Sequence, residues 1–135
     1  MSTRKYSAKF DNLDQIREYV GSLARAAGFS ERSVYSVQLA ADEAASNIIE
    51  HAYEGRADRS FMLRCAYSDE RLMMTFLDRG KSFDFPKVAT PDITAELSER
   101  KIGGLGIFLM HKLMDEVDYR VTGSGNYLTL IKRKE

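Results

Sequence analysis

Apolar residues recur every three or four positions in two stretches near the start of the chain, and this spacing predicts two helices. The first helix follows a short strand over residues 4–10, is capped by Asp11 and ends at Gly28, where glycine tolerates a left-handed backbone. The second helix is capped by Ser30 and reaches about His51. The pattern therefore predicts one strand followed by a pair of helices.

Alternating apolar and polar residues come next, and they predict two strands over residues 60–67 and 71–77 that the sequence SDE joins as a hairpin. Glycines followed by an apolar stripe predict a helix within residues 103–117. A second hairpin, with strands over residues 117–123 and 126–133, ends the chain. This order predicts an α+β fold, a two-layer α/β sandwich whose mixed, mostly antiparallel sheet is covered by helices on one face.

A polar connection over residues 80–102 interrupts the periodic pattern and contains both prolines of the protein. Its sequence supports at most a short helix over residues 92–97. A connection of this length in a small domain is usually a functional lid or a disordered segment. We predict a lid over about 81–102, within a single domain that spans residues 1–135.

Composition and charge narrow the class of protein. The chain has 135 residues, of which 44% are hydrophobic and 30% charged, as in ordinary globular domains. Its 20 basic and 20 acidic residues cancel, so no bulk positive field favours nucleic acid. Cys65 is the only cysteine, which excludes an intramolecular disulfide, and no apolar run approaches the ~20 residues of a membrane span. We expect a cytoplasmic protein without nucleic-acid or membrane partners.

The second predicted helix carries a carboxylate and an amide on one face. Glu43 and Asn47 are four positions apart, so they lie only ~40° apart around a helix. They border a stripe that must face the core, formed by Val37, Ala41, Ala44 and Ile48. A carboxylate suits general-base work and an amide oxygen suits Mg²⁺, so the pair suggests metal-assisted chemistry on a phosphate. The alternative is a tightly packed helix with both polar side chains in solvent.

Asp78 and Gly80 stand at the end of a predicted strand. An aspartate in this position can accept a hydrogen bond from an exocyclic amine such as that of adenine. A glycine two residues later lets the backbone approach a flat ring. An ordinary turn has the same sequence, so this motif alone is weak.

A glycine-rich turn directly precedes the third predicted helix, formed by Gly103, Gly104, Leu105 and Gly106. Such a turn directs free backbone N–H groups and the positive end of the helix dipole toward an anion, and phosphate is the obvious candidate. The turn has neither the Lys-Ser/Thr ending of a P-loop nor the spacing of a dinucleotide fold. A flexible junction between loop and helix is the alternative.

Taken in order, these motifs resemble those of the GHKL ATPases, the superfamily of gyrase, Hsp90-type chaperones, histidine kinases and MutL. The matches are the N-box Glu43-x-x-x-Asn47, the first glycine box Asp78-x-Gly80 and the second glycine box Gly104-x-Gly106. Within that superfamily the chain most resembles the small bacterial anti-sigma-factor serine kinases. The segments DEAASNIIEHAY, GGLGIFLMHKLMDEV and GSGNYLTLIKR carry this likeness, which covers nearly the whole chain.

The resemblance implies ATP and Mg²⁺ as cofactors and assigns a role to each motif. Glu43 would be the base that draws the proton from an attacking hydroxyl, and Asn47 would hold Mg²⁺. Asp78 would bind the adenine amine with Gly80 beneath the ring, and Thr129 would place a hydroxyl near adenine. The turn at 103–106 would present N–H groups to the phosphates.

The resemblance also implies partners. The acceptor would be a serine or threonine of an anti-anti-sigma (STAS) protein, a sigma factor would be bound and held inactive, and the kinase would form a homodimer. Family lids often place an arginine close before the phosphate glycines. Here the nearest cations, Arg100 and Lys101, lie slightly upstream, and either could contact phosphate.

Other functions compete with the kinase assignment. A non-catalytic nucleotide-binding partner switch would not need the base Glu43. A histidine-kinase-like ATPase domain is a second alternative, although the chain has no room for a dimerising phosphoacceptor helix pair. A structural domain without nucleotide would leave the ordered motifs as coincidence.

Overall fold

The described residues form a five-stranded sheet and three main helices. The computed structural model describes residues 1–82 and 104–135. The elements in chain order are β1 (Ser2–Ser7), a 3₁₀ turn (Phe10–Asn12), α1 (Leu13–Ala26), α2 (Glu31–Asn47), a π-helical turn (Ile48–Ala52), β2 (Ser60–Tyr67), β3 (Arg71–Asp78), α3 (Gly104–Leu113), β4 (Glu116–Thr122) and β5 (Gly125–Arg133).

The strands follow the order β1-β2-β3-β5-β4 across the sheet, and each described pair of neighbours is antiparallel. The predicted α+β fold is confirmed. Because β5 inserts between β3 and β4, the last residue of β3 lies directly across from the beginning of β5. Asp78 is therefore paired in register with Asn126.

The helices cover one face of the sheet, and the strand sequences alternate accordingly. In β3, Leu72, Met74 and Phe76 are fully buried, whereas the residues between them are only half-buried. The predicted stripe is buried: Val37, Ala41 and Ala44 lie on α2, and Ile48 begins the π-helical turn that follows. Because α2 packs against both α1 and α3, it forms the middle of the helical layer.

Two helix ends agree with the sequence and one does not. The Ser30 hydroxyl accepts a hydrogen bond from the Ser33 N–H at 3.2 Å, and Gly28 follows α1 with φ of 86°. The predicted cap at Asp11 is wrong, because α1 begins at Leu13 and Asp11 lies inside the 3₁₀ turn. Sequence spacing could not separate this turn from the helix that follows it.

The bounds of β1 and α2 also differ from expectation. β1 covers residues 2–7 rather than 4–10, because the chain leaves the sheet before Phe10. The α-helical part of α2 ends at Asn47, and the stretch to Ala52 is a π-helical turn instead of the expected helix to about His51. The predicted short helix at 92–97 and the lid, apart from residues 81 and 82, lie outside the described residues.

Within residues 1–82 and 104–135, no helix has both the length and the apolar content needed to cross a bilayer.

Candidate functional site

The polar pair of α2 lies at the helix end, on the edge of the core. Glu43 is half-buried, and Asn47 is only 6% exposed at the last residue of the α-helix. The Asn47 Nδ2 is buried and has no hydrogen-bond partner among the described residues. Buried amides are nearly always hydrogen-bonded, so this side chain is suited to a group that the protein itself does not supply.

The helix widens directly after Asn47. In the π-helical turn the Tyr53 N–H donates to the Ile48 carbonyl at 3.0 Å, five residues back. Single π-turns inside or at the end of α-helices are frequent at functional sites. Here the turn sends the chain from the Asn47 face toward the end of β3.

The second glycine motif contacts the α2 pair. Gly104 begins α3 and Leu105 follows in its first turn. A Cβ added to Gly106 would lie 2.8 Å from Glu43 Oε2 and 3.5 Å from Asn47 Nδ2. The start of α3 therefore lies directly against the carboxylate and the amide. The first N–H groups of a helix have no intrahelical partner, so this end of α3 can bind an anion next to that pair.

Glu43 has the electrostatic surroundings of a base. Burial raises the pKa of its carboxyl group, and the neighbouring Asp42 raises it further. Arg17 donates to Asp42 Oδ1 at 2.6 Å and partly balances that second charge. A carboxylate with a raised pKa takes up a proton more readily than an exposed glutamate.

The first glycine motif forms a buried polar cluster with β5. Asp78 is 5% exposed, and its Oδ1 accepts hydrogen bonds from the Gly80 N–H and from Asn126 Nδ2, both at 2.9 Å. Asn126 Nδ2 also donates to the Gly80 carbonyl at 3.0 Å. Burial raises the pKa of Asp78, while the hydrogen bonds from Asn126 and Gly80 act in the opposite direction.

Gly80 is required by the backbone of the π-helical turn. A Cβ at position 80 would lie 2.3 Å from the Ala52 carbonyl oxygen. The Lys81 N–H donates to that same oxygen at 2.8 Å. Tyr53 adds a second link, because its hydroxyl accepts from the Arg79 N–H at 2.8 Å and donates to the Ser60 carbonyl at 2.7 Å. The end of α2 and the Asp78 turn are thus held together.

Thr129 is not brought to this site. It is paired in register with Thr75, and its Oγ1 lies 3.3 Å from the Thr75 hydroxyl. Because side chains alternate along a strand, Thr129 lies on the uncovered face, opposite to Asp78 and Asn126. Asn126 occupies the position expected of Thr129. The sequence did contain a signal for Asn126: it lies two and four positions before Leu128 and Leu130, so strand alternation puts this polar residue on the same buried face as those two leucines.

The remaining predicted site residues belong to the predicted lid or follow it directly. Arg100, Lys101 and Gly103 lie outside the described residues.

An open cavity of about 550 Å³ adjoins the Asp78 cluster, with Gly80 and Asn126 among the residues that line it. Its far wall is the β4–β5 hairpin, where the apolar Val121 is exposed.

Known proteins are similar to this chain in sequence and in fold. The model of the histidine kinase-like ATPase domain family matches residues 6–132. Serine-protein kinase RsbW of Bacillus subtilis is 32% identical over 120 residues, which cover 84% of this chain and 73% of that protein. The RsbW of Halalkalibacterium halodurans is 33% identical over 131 residues, covering 93% of this chain and 78% of that protein.

Two solved structures share the fold at low sequence identity. The RsbU and RsbW domains of a Mycobacterium tuberculosis protein superpose with a TM-score of 0.65 at 15% identity, over 99% of this chain and 33% of that one. The histidine kinase domain of a blue-light activated kinase from Erythrobacter litoralis gives 0.53 at 18% identity, over 93% and 60% of the two chains. The family match, the kinase relatives and the geometry agree: the chain belongs to the histidine kinase-like ATPase domain family and has the RsbW serine-protein kinases among its relatives.

Proposed function

We propose that this protein is an ATP-dependent serine/threonine protein kinase that phosphorylates an anti-anti-sigma (STAS) protein and sequesters a sigma factor. The observation that carries the proposal is the contact of Gly106 with Glu43 and Asn47. It brings together a base, an amide and the N-terminus of a helix. Phosphoryl transfer depends mainly on positioning and charge neutralisation, which these parts can supply.

The residues of the site fit a Mg²⁺–ATP complex. Asn47 is buried, its Nδ2 has no partner among the described residues and can donate to a phosphate oxygen, and its Oδ1 is an oxygen ligand of the kind that Mg²⁺ takes. The described residues contain no cluster of three or more His, Cys, Asp or Glu side chains for a metal. Mg²⁺ typically takes one or two protein ligands and completes its shell with phosphate oxygens and water. Asn47 would hold the ion, which when bound neutralises charge on the phosphates.

Each of the other residues has a distinct task in the proposed reaction. Glu43 accepts the proton of the attacking serine or threonine hydroxyl. The first turn of α3 donates backbone N–H groups to phosphate oxygens, and Gly106 keeps that turn close to Glu43. Asp78 accepts a hydrogen bond from the adenine amine. Arg100, Lys101 and Gly103 stay predictions for phosphate binding.

The partners rest on the family likeness. The relatives are named serine-protein kinases, which supports a hydroxyl acceptor. We assign the acceptor hydroxyl to an anti-anti-sigma protein and the sequestered partner to a sigma factor, and we propose that the kinase acts as a homodimer.

Calorimetric titration of ATP, with and without Mg²⁺, tests the metal and nucleotide site. We expect magnesium-dependent binding by the wild type and a loss of about tenfold to hundredfold in Asn47→Ala, because a ligand to a charged group is removed. Asn12→Ala is the matched control, since Asn12 lies in the 3₁₀ turn before α1. Unchanged affinity in Asn47→Ala would remove that residue from the site.

A transfer assay separates a kinase from a binding switch. In Glu43→Gln we expect nearly unchanged nucleotide affinity and a fall in transfer to the STAS acceptor of about 10²- to 10⁴-fold, the usual contribution of a general base. Equal transfer by the variant would refute the base assignment. Wild-type binding without any transfer would favour the non-catalytic partner switch.

A further inference from the structure

Asn126 connects the Asp78 carboxylate to the glycine turn. It is 3% exposed at the beginning of β5 and is paired in register with Asp78. Its Nδ2 donates to Asp78 Oδ1 at 2.9 Å and to the Gly80 carbonyl at 3.0 Å. Both hydrogens of one amide are therefore committed, and the side chain can rotate only by breaking both bonds.

These hydrogen bonds fix the orientation of the Asp78 carboxyl group. Oδ1 already accepts from two N–H donors, those of Gly80 and Asn126. A proton on Oδ1 would point at those donors, so protonation at that oxygen is disfavoured. The carboxylate is thereby held in one orientation and used as an acceptor.

We propose that Asn126 is the positioning residue for base selection: it holds Asp78 as an acceptor-only carboxylate, so the site prefers a purine with an exocyclic amine over one with a carbonyl at that position. The inference rests on the proposed function, because it requires a nucleotide at Asp78. A carbonyl facing a fixed carboxylate would leave two acceptors opposed and no hydrogen bond between them. Sites built to hydrogen-bond a substrate group reject analogues that lack it.

Among residues 1–82 and 104–135, few competing charges surround Asp78. Tyr53, just after the π-helical turn, interacts electrostatically with Asp78, and Arg79 is the next residue after Asp78 and lines the adjoining cavity. The Tyr53 hydroxyl is engaged by the Arg79 N–H and the Ser60 carbonyl. The described part of the adjoining cavity adds no titratable side chain from the β4–β5 hairpin, whose lining residues there run from 121 to 126. Asn126 is thus the side chain that opposes the effect of burial on the pKa of Asp78.

The test compares ADP with inosine diphosphate, which differs by a carbonyl in place of the amine. We would measure both affinities by calorimetry between pH 5.5 and 8 for the wild type, Asn126→Leu and Asn126→Asp. Thr75→Val is the matched control, because it alters a hydrogen bond on the uncovered face of β3, the strand that carries Asp78.

We expect the wild type and Thr75→Val to prefer ADP by at least about a hundredfold. In Asn126→Leu the Asp78 pKa rises further, so ADP affinity falls on acidification at a higher pH than in the wild type. The affinity for inosine diphosphate rises over the same pH range, because a protonated Asp78 can donate a hydrogen bond to its carbonyl. The preference for ADP over inosine diphosphate therefore narrows to about tenfold or less. Asn126→Asp should also narrow the preference for ADP, since the new carboxyl group at position 126 faces that of Asp78 and the two share a proton.

The outcomes distinguish this inference from the proposed function. A wild type that binds neither nucleotide overturns both. Folded variants that weaken both nucleotides equally at every pH overturn the positioning role alone, because a purely structural defect has that effect. If Asn126→Leu does not fold, the size-matched Asn126→Asp decides: an unchanged preference for ADP overturns the proposal.

Discussion

Glycine at position 106 is explained by the side chains of a different helix. The position lies inside α3, where alanine would ordinarily be the better helix former by about 1 kcal/mol. The space for a Cβ is taken by the Glu43 carboxylate and the Asn47 amide. At the scale of single residues, Gly106 lowers the intrinsic stability of α3, and it does so where the helix backbone must pass close to the Glu43 carboxylate.

Gly106→Ala should therefore separate stability from activity. The new Cβ meets the far end of a flexible side chain, so Glu43 can move aside and the free energy of unfolding should stay within about 1 kcal/mol of the wild type. Displacing the base should lower transfer by at least about tenfold. Urea unfolding and the transfer assay check the two parts. Full transfer by a stably folded variant would contradict this placement of Glu43.

At the scale of elements, the end of α2 and the end of β3 act as one unit. The π-helical turn presents the Ala52 carbonyl to the backbone at Gly80 and Lys81, and Tyr53 bonds the backbone of Arg79. The nucleobase residue Asp78 is thereby tied to the helix that carries Glu43 and Asn47. A rigid connection between base-binding and phosphate-binding parts serves positioning.

Gly80→Ala should disrupt this junction. Its Cβ would meet the Ala52 backbone at 2.3 Å, and backbone cannot move aside as cheaply as a side chain, so we expect a loss of about 1–3 kcal/mol in unfolding free energy. Gly123→Ala is the control, because its added Cβ meets nothing within 4 Å. That variant should lie within about 0.5 kcal/mol of the wild type. Equal stabilities of the two in urea unfolding would contradict the close approach.

At the scale of the whole molecule, one covered sheet face holds the core together and positions the site. The strand order places β3 and β5 side by side, so Asp78 and Asn126 continue the buried rows of Phe76 and Leu128. The site is the polar end of the hydrophobic layer between sheet and helices. Its geometry therefore depends on the same packing that stabilises the fold.

The two faces of β3 should respond differently to truncation. Phe76 is fully buried beneath the helices, and Phe76→Ala should cost about 3–5 kcal/mol through lost burial and the cavity left behind. Leu77, the next residue, faces the other side and is half-buried, so Leu77→Ala should cost less than about 2 kcal/mol. Urea unfolding of both variants measures the difference. Equal costs would mean that the second face is also covered in solution.

Most of the fold could be predicted because it depends on local pattern. Helical spacing identified α2 and its buried stripe, and alternation identified β2 and β3 to within about a residue. Glu43 and Asn47 share a face by spacing alone, so their proximity needed no structure. Around Asp11 the sequence did not distinguish a 3₁₀ turn from the N-cap of an α-helix, because the same residue types occur in both.

The sequence by itself determined the elements, the faces of the helices and the order of the motifs, since each depends on residues a few positions apart. Only the tertiary structure decided which distant residues meet. The pairing of β3 with β5 decided that Asn126 and not Thr129 faces Asp78, because a shift of one residue moves a side chain to the other face of a sheet. The approach of the π-helical turn to Gly80 and of α3 to Glu43 was likewise decided by packing, since no local pattern records which backbones touch.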